Sequence, residues 1–174
     1  ELAEVEDRLQ QQADDGQSLT VSDLLVPEAI AMPLAARTRS SVIQAMADLA
    51  ASTGMLWDAE KMAAAVRARE ELQSTAMDNG VALLHPRRPL PSILAQSILA
   101  LGITGQGIPF GGSRQLTDVF CLVCSTDDRS HLRVLARISR LISNESFLAD
   151  LRASPDAISA HQLIQRTEGE LLDD

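Results

Sequence analysis

The chain has 174 residues, which suits a single domain, and hydrophobic residues make up 45% of it, enough for a sizeable core. Aromatics are only 2%, so that core must be aliphatic. The formal net charge of −9 argues against a nucleic-acid surface, which needs clustered Lys and Arg to displace counterions.

Two further features bound the setting. The two cysteines, Cys121 and Cys124, are too few for a secreted disulfide scaffold, so a reducing, cytoplasmic location is expected. No apolar run reaches the ~18 residues of a membrane span and no signal peptide is visible, so membrane insertion is not expected. The sequence starts at Glu1 rather than Met, which leaves room for a domain upstream.

In chain order, Glu1 to Asp15 reads as a polar helix with Leu2, Val5 and Leu9 on a thin stripe, ended by Gly16. That pattern suits a linker over residues 1–17. The domain proper is expected over 18–167. Thr20 or Ser22 caps a short helix through Leu25, stopped by Pro27. Ala29 to Leu34 is a weak strand candidate. Arg39 to Ser52 is a helix with Val42, Ile43, Met46 and Leu49 on one face, and Asp58 caps another through Leu72.

The character then changes. Asn79-Gly80 signals a turn before the apolar run Val81 to Leu84. His85 to Pro91 holds three prolines and cannot be helical. Ile93 to Leu101 reads as a strand, and a second short strand is centred on Ile108 within the glycine-rich stretch Gly102 to Gly112, whose glycines are read as turn formers. Thr117 to Cys124 is a buried strand. Helices follow at Ser130 to Ser143, Ser146 to Arg152 and Pro155 to about Arg166, with residues 168–174 as a frayed acidic tail. Helices, then strands, then helices predict an α/β fold, a mixed β-sheet sandwiched by helices.

Three histidines are the candidates for chemistry. His85 follows a strand directly and opens an irregular segment, held at one end and open to a partner at the other; its imidazole is a competent phosphoryl acceptor, or else a plain loop residue. His131 opens a helix, where free N–H groups favour phosphate, or is a polar first-turn residue. His161 lies inside the last helix and reads as surface or packing. Their spacing suggests no metal site. Cys121 and Cys124 fall on opposite strand faces in an apolar run and read as core rather than as a redox or zinc pair. Arg87-Arg88 could steer an anion or be solvated.

The segment Arg69-Glu70-Glu71-Leu72-Gln73-Ser74-Thr75-Ala76-Met77-Asp78-Asn79-Gly80-Val81-Ala82-Leu83-Leu84-His85 resembles the R-E-x-x-x-S-T-x-x-x-N-G-[IV]-A-[IV]-P-H pattern of type-2 EIIA domains of the phosphotransferase system, the fructose, mannitol and nitrogen-regulatory group. His131-Leu132 with Leu135-Ala136-Arg137 is similar to that family's H-L-x-x-L-A-R helix, and the likeness runs from about Ser18 to Thr167. The resemblance implies a phosphocarrier. His85 matches the phosphorylated histidine, His131 the supporting one, Arg69 a phosphate-pairing arginine and Thr75 a neighbour of the site. It implies an HPr-like donor, an EIIB domain or regulatory target as recipient, and no cofactor or metal at the transfer step. Two departures from the family matter: Leu84 stands where it has Pro, and Pro86 where it has Gly. Leu84 restores a backbone N–H and Pro86 narrows the loop. These changes leave room for a different outcome, an EIIA-fold regulatory module that phosphorylates poorly and signals by contact, with room for attachment to an upstream DNA-binding domain.

Overall fold

The computed structural model describes residues 3–5, 19–111 and 115–172. Residues 3–5 are helical; the rest of the helix expected over residues 1–15 lies outside the described residues. Thr20 caps α1 (Val21–Leu24) by accepting from the Asp23 N–H while the Asp23 carboxylate accepts from the Thr20 N–H. β1 (Ile30–Ala31) is shorter than the strand expected at 29–34. Pro33 brings no donor to continue it, and the chain re-engages the sheet only where the Leu34 N–H donates to the Ile103 carbonyl at 2.7 Å. α2 (Arg39–Ala51) starts on a Thr38–Ser41 capping box, and α3 (Ala59–Leu72) on Asp58, whose carboxylate accepts from the Lys61 N–H at 3.0 Å.

Gly80 turns the chain into β2 (Val81–Leu84) at φ +84, a conformation that favours glycine. A Cβ there would also sit 2.6 Å from the Arg152 guanidinium, which pairs with Asp118 and donates to the Asn79 carbonyl at 2.7 Å. After the non-helical segment at 85–90, Pro91–Ile93 forms a 3-10 turn rather than the start of a strand. β3 (Ile98–Ile108) and β4 (Thr117–Cys124) then pair antiparallel. The two strands expected around Ile93–Leu101 and Ile108 are therefore one, and Gly102, Gly105 and Gly107 lie inside it instead of making turns. Gly102 is required by packing. A Cβ there would meet Met46 Sδ at 2.7 Å and Leu34 Cδ2 at 2.9 Å. The expectation for Gly112 falls outside the described residues.

The four strands run in the order β1-β3-β4-β2. β1 is parallel to β3 and β2 is parallel to β4, so the sheet is mixed. Helices α4 (Asp128–Ile142), α5 (Glu145–Arg152) and α6 (Ala157–Leu172) complete the fold. Strand alternation decides which face each layer covers. Gly102 and its partner Phe120 point to the α2 face, where Met46 packs. Leu101 and Cys121 point the other way, where Ile138, Phe147, Leu151 and Ile164 of α4, α5 and α6 meet Val21 and Leu25 around a small apolar void of about 40 Å³. Helices thus sandwich the sheet. Cys121 and Cys124 fall on opposite faces and are both buried, and burial pushes each thiol up to about 12, out of the reactive range.

The last helix runs past Arg166 to Leu172, so the segment expected to fray is helical that far. The reason is Glu168, only 6% exposed, whose two carboxylate oxygens accept from the Val21 and Ser22 N–H groups at 2.6 and 2.9 Å. It satisfies the free donors that open α1. His161 adds a contact between its Nε2 and the Ser22 carbonyl at 2.9 Å, in keeping with a packing role. Glu168→Ala is expected to lower stability by about 2 kcal/mol, read as a lower urea midpoint with an unchanged slope, because two donors at the start of α1, one buried and one half-buried, lose a charged acceptor.

Candidate functional site

Because β2 and β4 run parallel, with Leu84 opposite Leu122, both leave the sheet at the same edge. His85 is the residue after β2. Alternation from Val81 and Leu83 turns it toward the α4 face. β4 ends at Cys124, and three residues later Asp127 caps α4 by accepting from the Ser130 N–H at 2.8 Å. His131 is therefore the fourth residue of a helix that begins earlier than expected. Its own N–H is already in the helical ladder, donating to the Asp127 carbonyl at 3.1 Å, so its backbone is not one of the free donors at the helix start. What α4 delivers instead is the ring. The two imidazoles lie with centroids 4.7 Å apart at 62°, edge to face.

Each ring has a fixed end. His85 Nδ1 lies 2.9 Å from the Pro86 carbonyl oxygen. A carbonyl only accepts, so this contact selects the tautomer with the proton on Nδ1 and leaves a lone pair on Nε2. His131 Nδ1 lies 3.4 Å from Ser125 Oγ. His85 is half-buried, Pro86 is buried, and Arg87 and Arg88 are exposed.

Arg69 and Thr75, the other two expected site residues, are engaged elsewhere. Arg69 donates from Nη1 to the Gln73 carbonyl at 2.6 Å, closing the end of α3. The Thr75 N–H and hydroxyl both donate to the carboxylate of Glu70, the N–H at 3.1 and 3.2 Å. Glu70 is only 2% exposed and has Arg39 Nη2 at 3.8 Å; that guanidinium in turn sits 5.7 Å from the Phe110 ring centre. Consecutive residues of α3 therefore clamp the segment that feeds β2. Glu70 and Ser125 were not singled out from the sequence. Glu70 stands next to Arg69 in the recurring segment and offered a signal; Ser125, a common residue at a strand end, offered none.

The chain matches the family described as phosphoenolpyruvate-dependent sugar phosphotransferase system, EIIA 2, over residues 23–167. It is 30% identical over 156 residues to a nitrogen regulatory protein of Bradyrhizobium diazoefficiens, covering 84% of this chain and 95% of the relative. Its fold matches that of the nitrogen regulatory protein IIA-Ntr of Neisseria meningitidis with a TM-score of 0.73 at 18% identity, covering 83% of this chain and 98% of that one. It also matches the Escherichia coli mannitol enzyme IIA, solved in complex with phosphorylated mannitol enzyme IIB, with a TM-score of 0.70 at 15% identity over 79% of this chain and 94% of that one. The chain belongs to the type-2 EIIA family of the phosphotransferase system. Among the described residues no helix is long and apolar enough to cross a membrane.

Electrostatics at the pair favour a neutral His131 ring. Burial, and then the neighbouring His85, hold the His131 pKa below the usual imidazole value, and Asp128 offsets this only in part. Folding therefore disfavours the charged form of His131. Its contribution to stability is intact above the unfolded value of 6.5 and is lost as pH falls toward the lower folded value. A proton NMR titration of the ring is expected to give a midpoint below 6.5, moving upward in His85→Ala, where both the neighbouring charge and some of the burial are removed.

Proposed function

We propose that this chain is a phosphohistidine relay in which His85 accepts a phosphoryl group from an HPr-like carrier and His131 supports the transfer. The observation that carries the reading is the imidazole pair at one sheet edge, 4.7 Å apart, with His85 Nδ1 held by the Pro86 carbonyl. The Nε2 lone pair of His85 attacks phosphorus in line. One N–P bond forms as the N–P bond to the carrier's histidine breaks, and the leaving ring takes back its electron pair. His85 keeps its Nδ1 proton, and the Pro86 carbonyl accepts from it as positive charge develops on the ring. No net proton transfer is needed.

His131 starts neutral. A phosphoryl dianion beside it favours its protonated form, so the ring becomes a better donor to phosphoryl oxygen as the charge arrives. Arg69 would join by exchanging its bond to Gln73 for one to phosphate, a geometry its guanidinium suits. Thr75 would act through its place beside the strand that carries His85. The phosphoryl group then passes to an EIIB partner or stays as a regulatory charge. The regulatory outcome is favoured by the 30% identity to a protein named a nitrogen regulator, and the EIIB outcome by a matching fold solved with phosphorylated EIIB. The supported setting is cytoplasmic.

Incubation with phosphoenolpyruvate, enzyme I and HPr is expected to add one phosphoryl group, labile to acid and to hydroxylamine. His85→Ala should abolish it, and His131→Ala should slow its uptake on the order of 10²-fold, as for loss of one charge-stabilising donor. Intact-mass spectrometry over a time course reads both. Uptake that survives His85→Ala would exclude this residue as the acceptor.

A further inference from the structure

β3 is longer than the strand on its outer side. β1 pairs with it only at Leu101 and Gly102, and the Leu34 N–H reaches the Ile103 carbonyl at 2.7 Å. The chain then leaves through Ala35 and Arg37 for α2. Among the described residues no other strand pairs with this side of β3. A cleft of about 630 Å³ opens there, between that departing segment and the edge from Thr104 to Ile108. Its size is that of a ligand pocket. Its lining carries one charged side chain, Arg37, and no acid, in a chain of net charge −9. The cleft lies away from the imidazoles. Ile98 faces Cys124 at the histidine edge, whereas Ile108 faces Thr117, roughly 24 Å back along β4 at ordinary strand rise. Gly105 sits on this edge without a reason inside the fold. Its φ is not in the left-handed region, and a Cβ there would meet nothing within 4 Å, unlike one at Gly102 or Gly107. Residues 104–107 form a bulge opposite Asp118 alone, pinned where the Thr104 hydroxyl donates to the Gln106 carbonyl at 2.6 Å.

We propose that this cleft takes the extended, carboxylate-terminated end of a partner protein as an added strand beside β3. Proteins usually guard an open strand edge with charge or proline, but the residues exposed here are Gly105 and Gln106, both uncharged. A strand glycine that no internal contact requires leaves room for another backbone to come close. The edge from Thr104 to Ile108 is about 17 Å long, enough for backbone bonds to a short peptide. Leu34, Ala36 and Ile108 offer apolar contact to its alternate side chains, and Arg37 receives its carboxylate. A chain end fits this slot better than the middle of a chain does, because Leu34, bonded to Ile103, closes the inner end. Charge disfavours a second copy of this chain as the occupant, since that would set −9 against −9. The inference does not depend on the relay reading. A partner held at this end leaves the histidine edge open, so the site is a tether that works whatever the state of His85.

The test screens an array of hexapeptides varied over Val, Ile, Leu, Thr and Ser, each with a free carboxyl end, against the full chain. The tightest binder is then titrated into isotope-labelled chain and followed by amide NMR. Saturable shifts and slowed hydrogen exchange are expected at Gly105, Gln106 and Gly107, with the His85 and His131 amides unmoved. Amidating the peptide, or Arg37→Glu in the chain, should weaken binding about tenfold. Arg37 is exposed, so that variant keeps the fold. Successive N–H groups of a strand point to opposite sides, so N-methylation of one alternate set of peptide residues should abolish binding and of the other set should not. Binding that tolerates both methylated sets means that the carboxylate alone is recognised and overturns the added strand. An array with no member that shifts these amides at millimolar concentration overturns the site. So do shifts centred on His85, and so does broadening that follows the chain's own concentration without peptide, which would give the edge to a second copy.

Discussion

Parallel pairing of β2 with β4 is the constraint from which the site follows. Strands that run together end together, so the residue after β2 and the helix after β4 meet at one edge. Reversing either strand would part the two histidines by the length of β2, roughly 13 Å for four residues. The pairing also explains the irregular segment behind His85. β3 enters the sheet beyond β4, so the chain leaving β2 must pass across the end of a strand not yet made, a span of roughly 10 Å at ordinary strand spacing. Pro86, Pro89 and Pro91 keep that bridge from winding into a helix, and β4 later fills the place beneath it. The same bridge supplies the carbonyl that holds the His85 ring, so one stretch of backbone solves a topological problem and a tautomeric one.

The helices were legible from the sequence because their signals are local. Thr20 and Asp58, read as caps, each bond the N–H three residues on, and Thr38, Asp127 and Asn144, which were not singled out, do the same. β4 was legible as an unbroken apolar run, as expected of a strand buried on both faces. β3 was not. Its glycines read as turns because a sequence does not show Met46 and Leu34 pressing on the space where a Cβ would lie, nor Leu116 doing so at Gly107. The end of the last helix was hidden for a related reason. An acidic stretch near a chain end looks solvated unless the distant donors of Val21 and Ser22 are known to be waiting for Glu168.

The site divides in the same way. The likeness to a known family pointed to His85 and His131, and the fold puts their rings in contact. Neither the likeness nor the spacing indicated that Arg69 and Glu70 would be holding Gln73 and Thr75. Those bonds span only four and five residues. They form because α3 ends at Leu72, which leaves the Gln73 carbonyl and the Thr75 N–H outside the helical ladder and within reach of side chains from its last turn.

This division has a consequence for a relay. A carrier must hold a phosphoryl group firmly enough to keep it from water and loosely enough to give it up. A site walled by free cations would bind the dianion deeply and slow its departure, in the way that equal stabilisation of bound and transferring states adds nothing to turnover. In the resting chain the groups in contact are two imidazoles, one of them held neutral by burial and by its neighbour, while Arg69 is occupied with backbone. In the proposed relay, charge complementarity would then be drawn in by the phosphoryl group itself, through proton uptake on His131 and release of Arg69, and both changes would reverse when it leaves. Leu84 and Pro86 bear on the same balance. Leu84, wholly buried, fixes the end of β2 by its register with Leu122, and Pro86, also buried, fixes the carbonyl on which the His85 tautomer depends. In the proposed relay, a stiff acceptor meeting a compliant phosphate shell would place most of the adjustment on side chains that relax quickly, rather than on the strand that presents the ring.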